Sequence, residues 1–157
     1  MSAPSHSLFR SVAGHTVLAL HSSGSKGGQW RAYGQALPAA VRLHTPDLLG
    51  YAATEAFRPG MALTLDDEGD RLMPLLGQVD APVHLVGHSY GGAVGLQLAL
   101  RRPQRIRSLT LYEPVHFALL RQAAPGAWQE VQALAGDIAG HLEAHAPDPA
   151  AERLVDY

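Results

Sequence analysis

The stretch "HLVGHSYGGAVG", residues His84–Gly95, decides how this sequence folds. An apolar run leads into it, a helical pattern leaves it, and one serine sits among glycines. Gly87, Ser89 and Gly91 fit G-x-S-x-G. That pattern marks a sharp strand-to-helix turn with its central serine in a strained backbone conformation. Side chains two residues to either side of the serine would collide, so both places call for glycine. The turn lifts the Ser89 hydroxyl above the carboxyl ends of the strands, where open α/β sheets bind ligands. It also aims the next backbone N–H, that of Tyr90, at any negative charge forming beside the serine. His88 completes the turn, and Gly92, Ala93 and Gly95 keep the start of the helix slim. The plain alternative is a glycine-rich turn with an incidental serine.

Around this turn strands and helices alternate. "HTVLALH" (15–21) is too short for a helix and reads as a buried strand. "QWRAYGQAL" (29–37) is a short helix ended by Pro38, and "VRLH" (41–44) a second strand. Thr64, with Asp67 three residues on, opens a helix to Leu76, with Leu65, Leu72, Leu75 and Leu76 on one face. "APVHLVG" (81–87) is the strand feeding the serine. The helix after it runs from about Gly91 to Arg102, and a strand follows at Ile106–Tyr112. This alternation predicts a parallel sheet with helices on both faces. After Glu113 the pattern is helical only, with Val131, Leu134, Ala135, Ile138 and Leu142 forming a stripe within Ala127–His145. A last helix is capped by Asp148, with Pro149 in its first turn. The expected domains are therefore 1–115, a sheet core, and 116–157, a helical segment.

Composition narrows the function. The 157 residues are 46% hydrophobic and 17% charged, a globular balance. A net charge of −2, with Lys26 the sole lysine, argues against nucleic acid or an anionic membrane as partner. The absence of cysteine excludes disulfides and thiolate chemistry. No apolar run approaches the ~20 residues of a membrane span, and the start lacks the pattern of a secretory signal, so a cytoplasmic location is expected. No cofactor is expected, and no metal: His141 and His145 are four apart on a predicted helix, but "HLEAH" is not H-E-x-x-H and a third ligand is not evident. His21 and His44 end strands, and His84 reads as a satisfied core residue.

An oxyanion hole needs a second donor. The glycine-rich loop "HSSGSKGGQW" (21–30) lets the backbone come close to Ser89, with the Ser23 N–H as first choice and Ser22 as the alternative.

Four features in order, "HSSGSKGGQW", "PDLLGY", "GHSYGG" and "LYEP", resemble the α/β-hydrolase superfamily in its capped, esterase-like branch. They cover about Val17 to Val115, and the helical tail resembles the beginning of a family cap domain. The resemblance implies a serine hydrolase without cofactor, with Ser89 as nucleophile and with Ser23 and Tyr90 at the oxyanion positions. The family usually has His-Gly where this chain has His21-Ser22. It also implies a central piece of the fold, four strands in the order 4-3-5-6 of the family. The family's acid and histidine follow later strands, so the chain is expected to be impaired as it stands. Some members place the acid after the strand ending at Tyr112, which makes Glu113 a candidate acid and His116 a candidate base. The fuller expectation is that both line or brace the pocket. A serine with two backbone donors suits acyl transfer, so a small-molecule ester or related acyl compound is the expected substrate. A serine at this position argues against dehalogenase chemistry.

Two other classes compete. A nucleotide-binding Rossmann-like module would use Gly87, Gly91 and Gly92 with Glu113 as its ribose-binding acid, but the spacing fails G-x-G-x-x-G. A non-catalytic binding protein or remnant would self-associate through open sheet edges.

Overall fold

The computed structural model describes residues 14–51, 54 and 63–155. The start of the chain and most of the loop after "PDLLGY" lie outside them. The described chain divides between Val115 and His116 into two compact units, taken separately below.

In the first unit, β1 (Thr16–Leu20), β2 (Arg42–His44), β3 (Val83–His88) and β4 (Ile106–Tyr112) form a four-stranded sheet in the order β2-β1-β3-β4. Every pairing is parallel. This is the order expected for a central piece of the family fold. Leu18 lies opposite Leu85 and Leu20 opposite Gly87, so β1 ends level with the approach to the serine.

Strand alternation divides the core in two. Leu18, Leu20, Leu85 and Val83 meet Leu72 and Leu76 of α2 (Leu65–Gly77) and Leu98 of α3 (Tyr90–Arg101) on one face. Val17, Ala19 and Val86 form a smaller cluster on the other, against Trp30, Val41 and Leu43. There the predicted helix begins as a tight 3-10 turn, Gly27–Trp30, before α1 (Arg31–Ala36).

α2 starts where the sequence predicts. The Thr64 hydroxyl accepts from the Asp67 N–H at 3.2 Å, and the Asp67 carboxylate accepts from the Thr64 N–H at 2.8 Å. This reciprocal box satisfies two of the N–H groups that a helix start leaves open. Gly69 is tolerated inside α2 because a Cβ there would meet the Arg101 side chain, which crosses to pair with Asp70 at 2.5 Å.

The second unit is helical. A turn at Phe117–Leu119 and a short α4 (Leu120–Ala123), both missed by the periodicity, precede α5 (Pro125–Glu143) and α6 (Pro147–Val155). Val131 and Leu134 of α5 and Ala150 of α6 are its buried apolar residues, and Arg153 pairs with Asp137 at 3.1 Å. The apolar stripe is covered only near its start, for Leu142 is 53% exposed. α5 ends two residues short of prediction. The Ala146 N–H bonds the His141 carbonyl at 2.9 Å and the His145 N–H bonds Leu142 at 3.0 Å, with His145 at φ +55°. This is a Schellman stop made without glycine, which hid it in the sequence. His145 is therefore off the helix, and the i, i+4 pairing with His141 does not form on a helical face.

Candidate active site

Ser89 is the single residue between β3 and α3, at φ +52° and ψ −117°. An L residue is strained there, and hydrogen bonds hold it in place. Its N–H reaches the Tyr112 carbonyl at 3.0 Å, while its carbonyl accepts from Gly92 at 2.9 Å and from Ala93 and Val115, each at 3.2 Å.

The glycines are set by close approach. A Cβ on Gly87 would lie 2.7 Å from Gly92 Cα and against the Gly91 carbonyl. A Cβ on Gly91 would strike the Leu20 carbonyl and lie 2.5 Å from that of His21, and one on Gly92 would be 2.9 Å from Pro114 Cβ. The obstacles at Gly87 and Gly91 are backbone, which cannot step aside. Gly95 differs, since its nearest neighbour would be an ordinary 3.6 Å from Leu85. Slimness is not what that position demands.

On the β1 side, His21 is fully buried. Its Nε2 accepts the Leu48 N–H at 3.0 Å, so the proton sits on Nδ1, which donates to the Ser22 carbonyl at 2.8 Å. The same carbonyl accepts from the Ser25 N–H at 3.3 Å. Ser23 lies exposed in this loop. The Ser22 N–H and hydroxyl both donate to Gln29 Oε1, at 3.0 and 2.9 Å, and Gln29 Nε2 donates to His88 Nδ1 at 2.9 Å. The His88 ring lies tilted over Tyr112, centroids 5.0 Å apart.

On the α3 side, the half-buried Tyr90 directs its hydroxyl at Glu68 Oε1, 3.4 Å away, a weak bond by length. The same oxygen accepts the Leu49 N–H at 3.0 Å. Glu68 is fully buried, and its Oε2 has no hydrogen-bond partner among the described residues. Burial pushes the Glu68 carboxyl above the usual carboxylate range, against the lowering effect of the Leu49 N–H. Burial, then the Glu68 charge, pushes the Tyr90 phenol up as well.

A polar brace therefore leaves the turn from the residue on each side of Ser89. His88 reaches Ser22 and His21 through Gln29, and Tyr90 reaches the Leu48–Leu49 segment through Glu68. Gln29 and Glu68 were both missed in the sequence. Glu68 had left a signal: it stands three residues after Leu65 and four before Leu72, on the apolar face of α2.

Glu113 closes the first unit's β4 at φ +46°, before Pro114. His116 belongs to the second unit, where its carbonyl accepts the Leu119 N–H at 3.1 Å. Among the described residues no three His, Asp or Glu side chains gather as metal ligands do, and no helix is long and apolar enough to cross a membrane.

Residues 17–156 match the profile of the alpha/beta hydrolase family. Among curated proteins, the pimeloyl-[acyl-carrier protein] methyl ester esterase of Aeromonas salmonicida is 33% identical over 83% of this chain and 52% of its own. The lipase LipV of Mycobacterium tuberculosis is 37% identical over 62% of this chain and 36% of its own. Among solved structures, an epoxide hydrolase from Vigna radiata superposes with a TM-score of 0.57 and 32% identity, over 62% of this chain and 33% of that one. The chain spans about a third to a half of the length of the relatives it matches.

Proposed function

This chain belongs to the alpha/beta hydrolase family, and we propose on that premise that it carries the nucleophile of a serine hydrolase acting on a carboxylic ester or related acyl compound. The observation that carries the reading is the backbone of Ser89. A serine is kept at φ +52°, between glycines whose replacement would strike backbone. A turn with no task for its hydroxyl gains nothing from that strain. The esterase and the lipase among the relatives support the acyl class of substrate.

In this reading Ser89 Oγ attacks the acyl carbon, a C–O bond forms, and the carbonyl oxygen becomes an oxyanion. The N–H groups of Tyr90 and Ser23 donate to it. Collapse of the intermediate breaks the bond to the alcohol, which leaves with the proton lost by Oγ. Water then releases the acid from the acyl-enzyme. His21 does not serve as the base because both its ring nitrogens are engaged, and His88 does not because, with Nδ1 accepting from Gln29, its Nε2 carries the proton and has no lone pair to take another. The reading places the triad's acid and histidine outside this chain, with Glu113 lining or bracing the pocket. Residues 1–115 form the partial hydrolase core and 116–157 the start of a cap. The chain alone is then slow, keeping only the help of the oxyanion hole and binding. The edge strands β2 and β4 are where copies of it would associate.

The test uses a fluorophosphonate probe and a short-chain ester with wild type and Ser89→Ala. Slow labelling at Ser89 and weak turnover are expected, both lost on substitution. Ester turnover that persists in Ser89→Ala would overturn the reading.

A further inference from the structure

Of the side chains around Ser89, Gln29 joins both the loop after β1 and the residue before the serine. We propose that Gln29 is a positioning residue, which fixes the loop after β1 so that the Ser23 N–H, and not that of Ser22, faces the oxyanion. The inference rests on the reading of Ser89 as nucleophile given above, and extends it to a residue that makes no contact with substrate.

The hydrogen bonds determine the arrangement atom by atom. Because Oε1 of Gln29 accepts from the Ser22 N–H, Nε2 is the end that faces His88, and it donates to Nδ1. Neutral His88 therefore carries its proton on Nε2. The Ser22 N–H is used up in the tie, and so is its hydroxyl. That removes Ser22 from the set of oxyanion donors.

The next peptide plane is pinned as well. The Ser22 carbonyl is held by His21 Nδ1–H at 2.8 Å and by the Ser25 N–H at 3.3 Å. A trans peptide is flat, so fixing the direction of that carbonyl fixes the opposite direction of the Ser23 N–H. Gln29 clamps the plane before the Ser22 Cα, and His21 clamps the plane after it. With both planes fixed, the Ser23 N–H has one orientation.

Gln29 is itself firmly mounted. Its N–H bonds the Lys26 carbonyl at 2.9 Å, and the Gly27 N–H bonds the Asp47 carboxylate at 2.7 Å. Gly27 is pressed so closely on Thr45 that a Cβ would overlap the Thr45 carbonyl. The turn bearing Gln29 is thus anchored to the segment after β2, independently of the serine.

The experiment compares wild type, Gln29→Leu and Gln29→Glu by three measurements on the full chain. These are the nitrogen chemical shifts of His88, hydrogen exchange at the Ser22 N–H, and the rate of fluorophosphonate labelling at Ser89. Wild type should show His88 protonated on Nε2 and a protected Ser22 N–H. Gln29→Leu should lose both signatures and label about tenfold more slowly, as expected when a donor loses its alignment. Gln29→Glu keeps an acceptor for the Ser22 N–H but offers a carboxylate to His88. It should move the His88 proton to Nδ1, retain Ser22 protection, and label faster than Gln29→Leu. A merely structural glutamine would not give this separation of the two ends. Unchanged His88 shifts and Ser22 exchange in Gln29→Leu would overturn the proposal, as would a labelling rate unchanged when both are lost. Failure of the nucleophile reading looks different: Ser89 stays unlabelled in all three proteins while the wild-type His88 and Ser22 signatures are present. That result would overturn the positioning role along with the nucleophile.

Discussion

The two faces of the sheet are built differently. On the α2/α3 face, Leu18, Leu20, Leu72, Leu85 and Leu98 are almost wholly buried, and apolar contact does the holding. On the opposite face the apolar cluster is small, and toward β4 it gives way to polar side chains. His84, Val86 and His88 of β3 lie in register with Ser108, Thr110 and Tyr112 of β4. His84 joins His15 at 3.0 Å to Ser108 at 2.7 Å. Burial, with His15 and Arg107 near, lowers the His84 pKa from the ordinary histidine value, which favours the neutral ring that can donate at one nitrogen while accepting at the other. Apolar burial thus concentrates on one face, while the other carries the polar side chains beside the site.

Substitutions test that contrast. The largest effect is expected from Leu85→Ala on the covered face, a loss of roughly 2–5 kcal/mol in a denaturant melt. Val86→Ala, across the strand, should cost clearly less, and equal losses would erase the distinction. Glu68 provides the intermediate case, a carboxyl sealed into the helix that covers the apolar face. Its raised pKa means that the folded state favours the protonated form. Its contribution to stability is therefore intact below the ordinary carboxylate range and is lost as pH rises through its own higher value. Glu68→Gln mimics the protonated group, so its melting temperature should decline less between pH 5 and pH 8 than that of wild type. Parallel pH profiles would show that Glu68 is ionised in the fold at no penalty. The smallest effect belongs to the polar face: Ser108→Ala removes one hydrogen bond and should cost at most about 1 kcal/mol.

The legibility of the sequence follows the same divide. Apolar periodicity and turn chemistry located the strands, and the capping box at Thr64 and Asp67 marked a helix start. The strand–serine–helix turn was legible because its glycines answer to sterics local to the chain. Gln29 was not, because its partners Ser22 and His88 come together only once β1 and β3 pair side by side. The strand position marks His84 as a satisfied core residue; both its ring nitrogens are bonded, but it sits half-buried on the thinner face, for a strand pattern cannot say which face a helix will cover. The helix stop at His145 was hidden because the usual glycine is absent.

The backbone of Ser89 has a consequence for anyone altering this protein. Its φ of +52° and ψ of −117° belong to a region where glycine is at ease. Three N–H groups hold its carbonyl whatever its side chain. A redesign that scores sequences by folding stability alone would therefore overwrite this serine with glycine, and the better folder would be chemically mute.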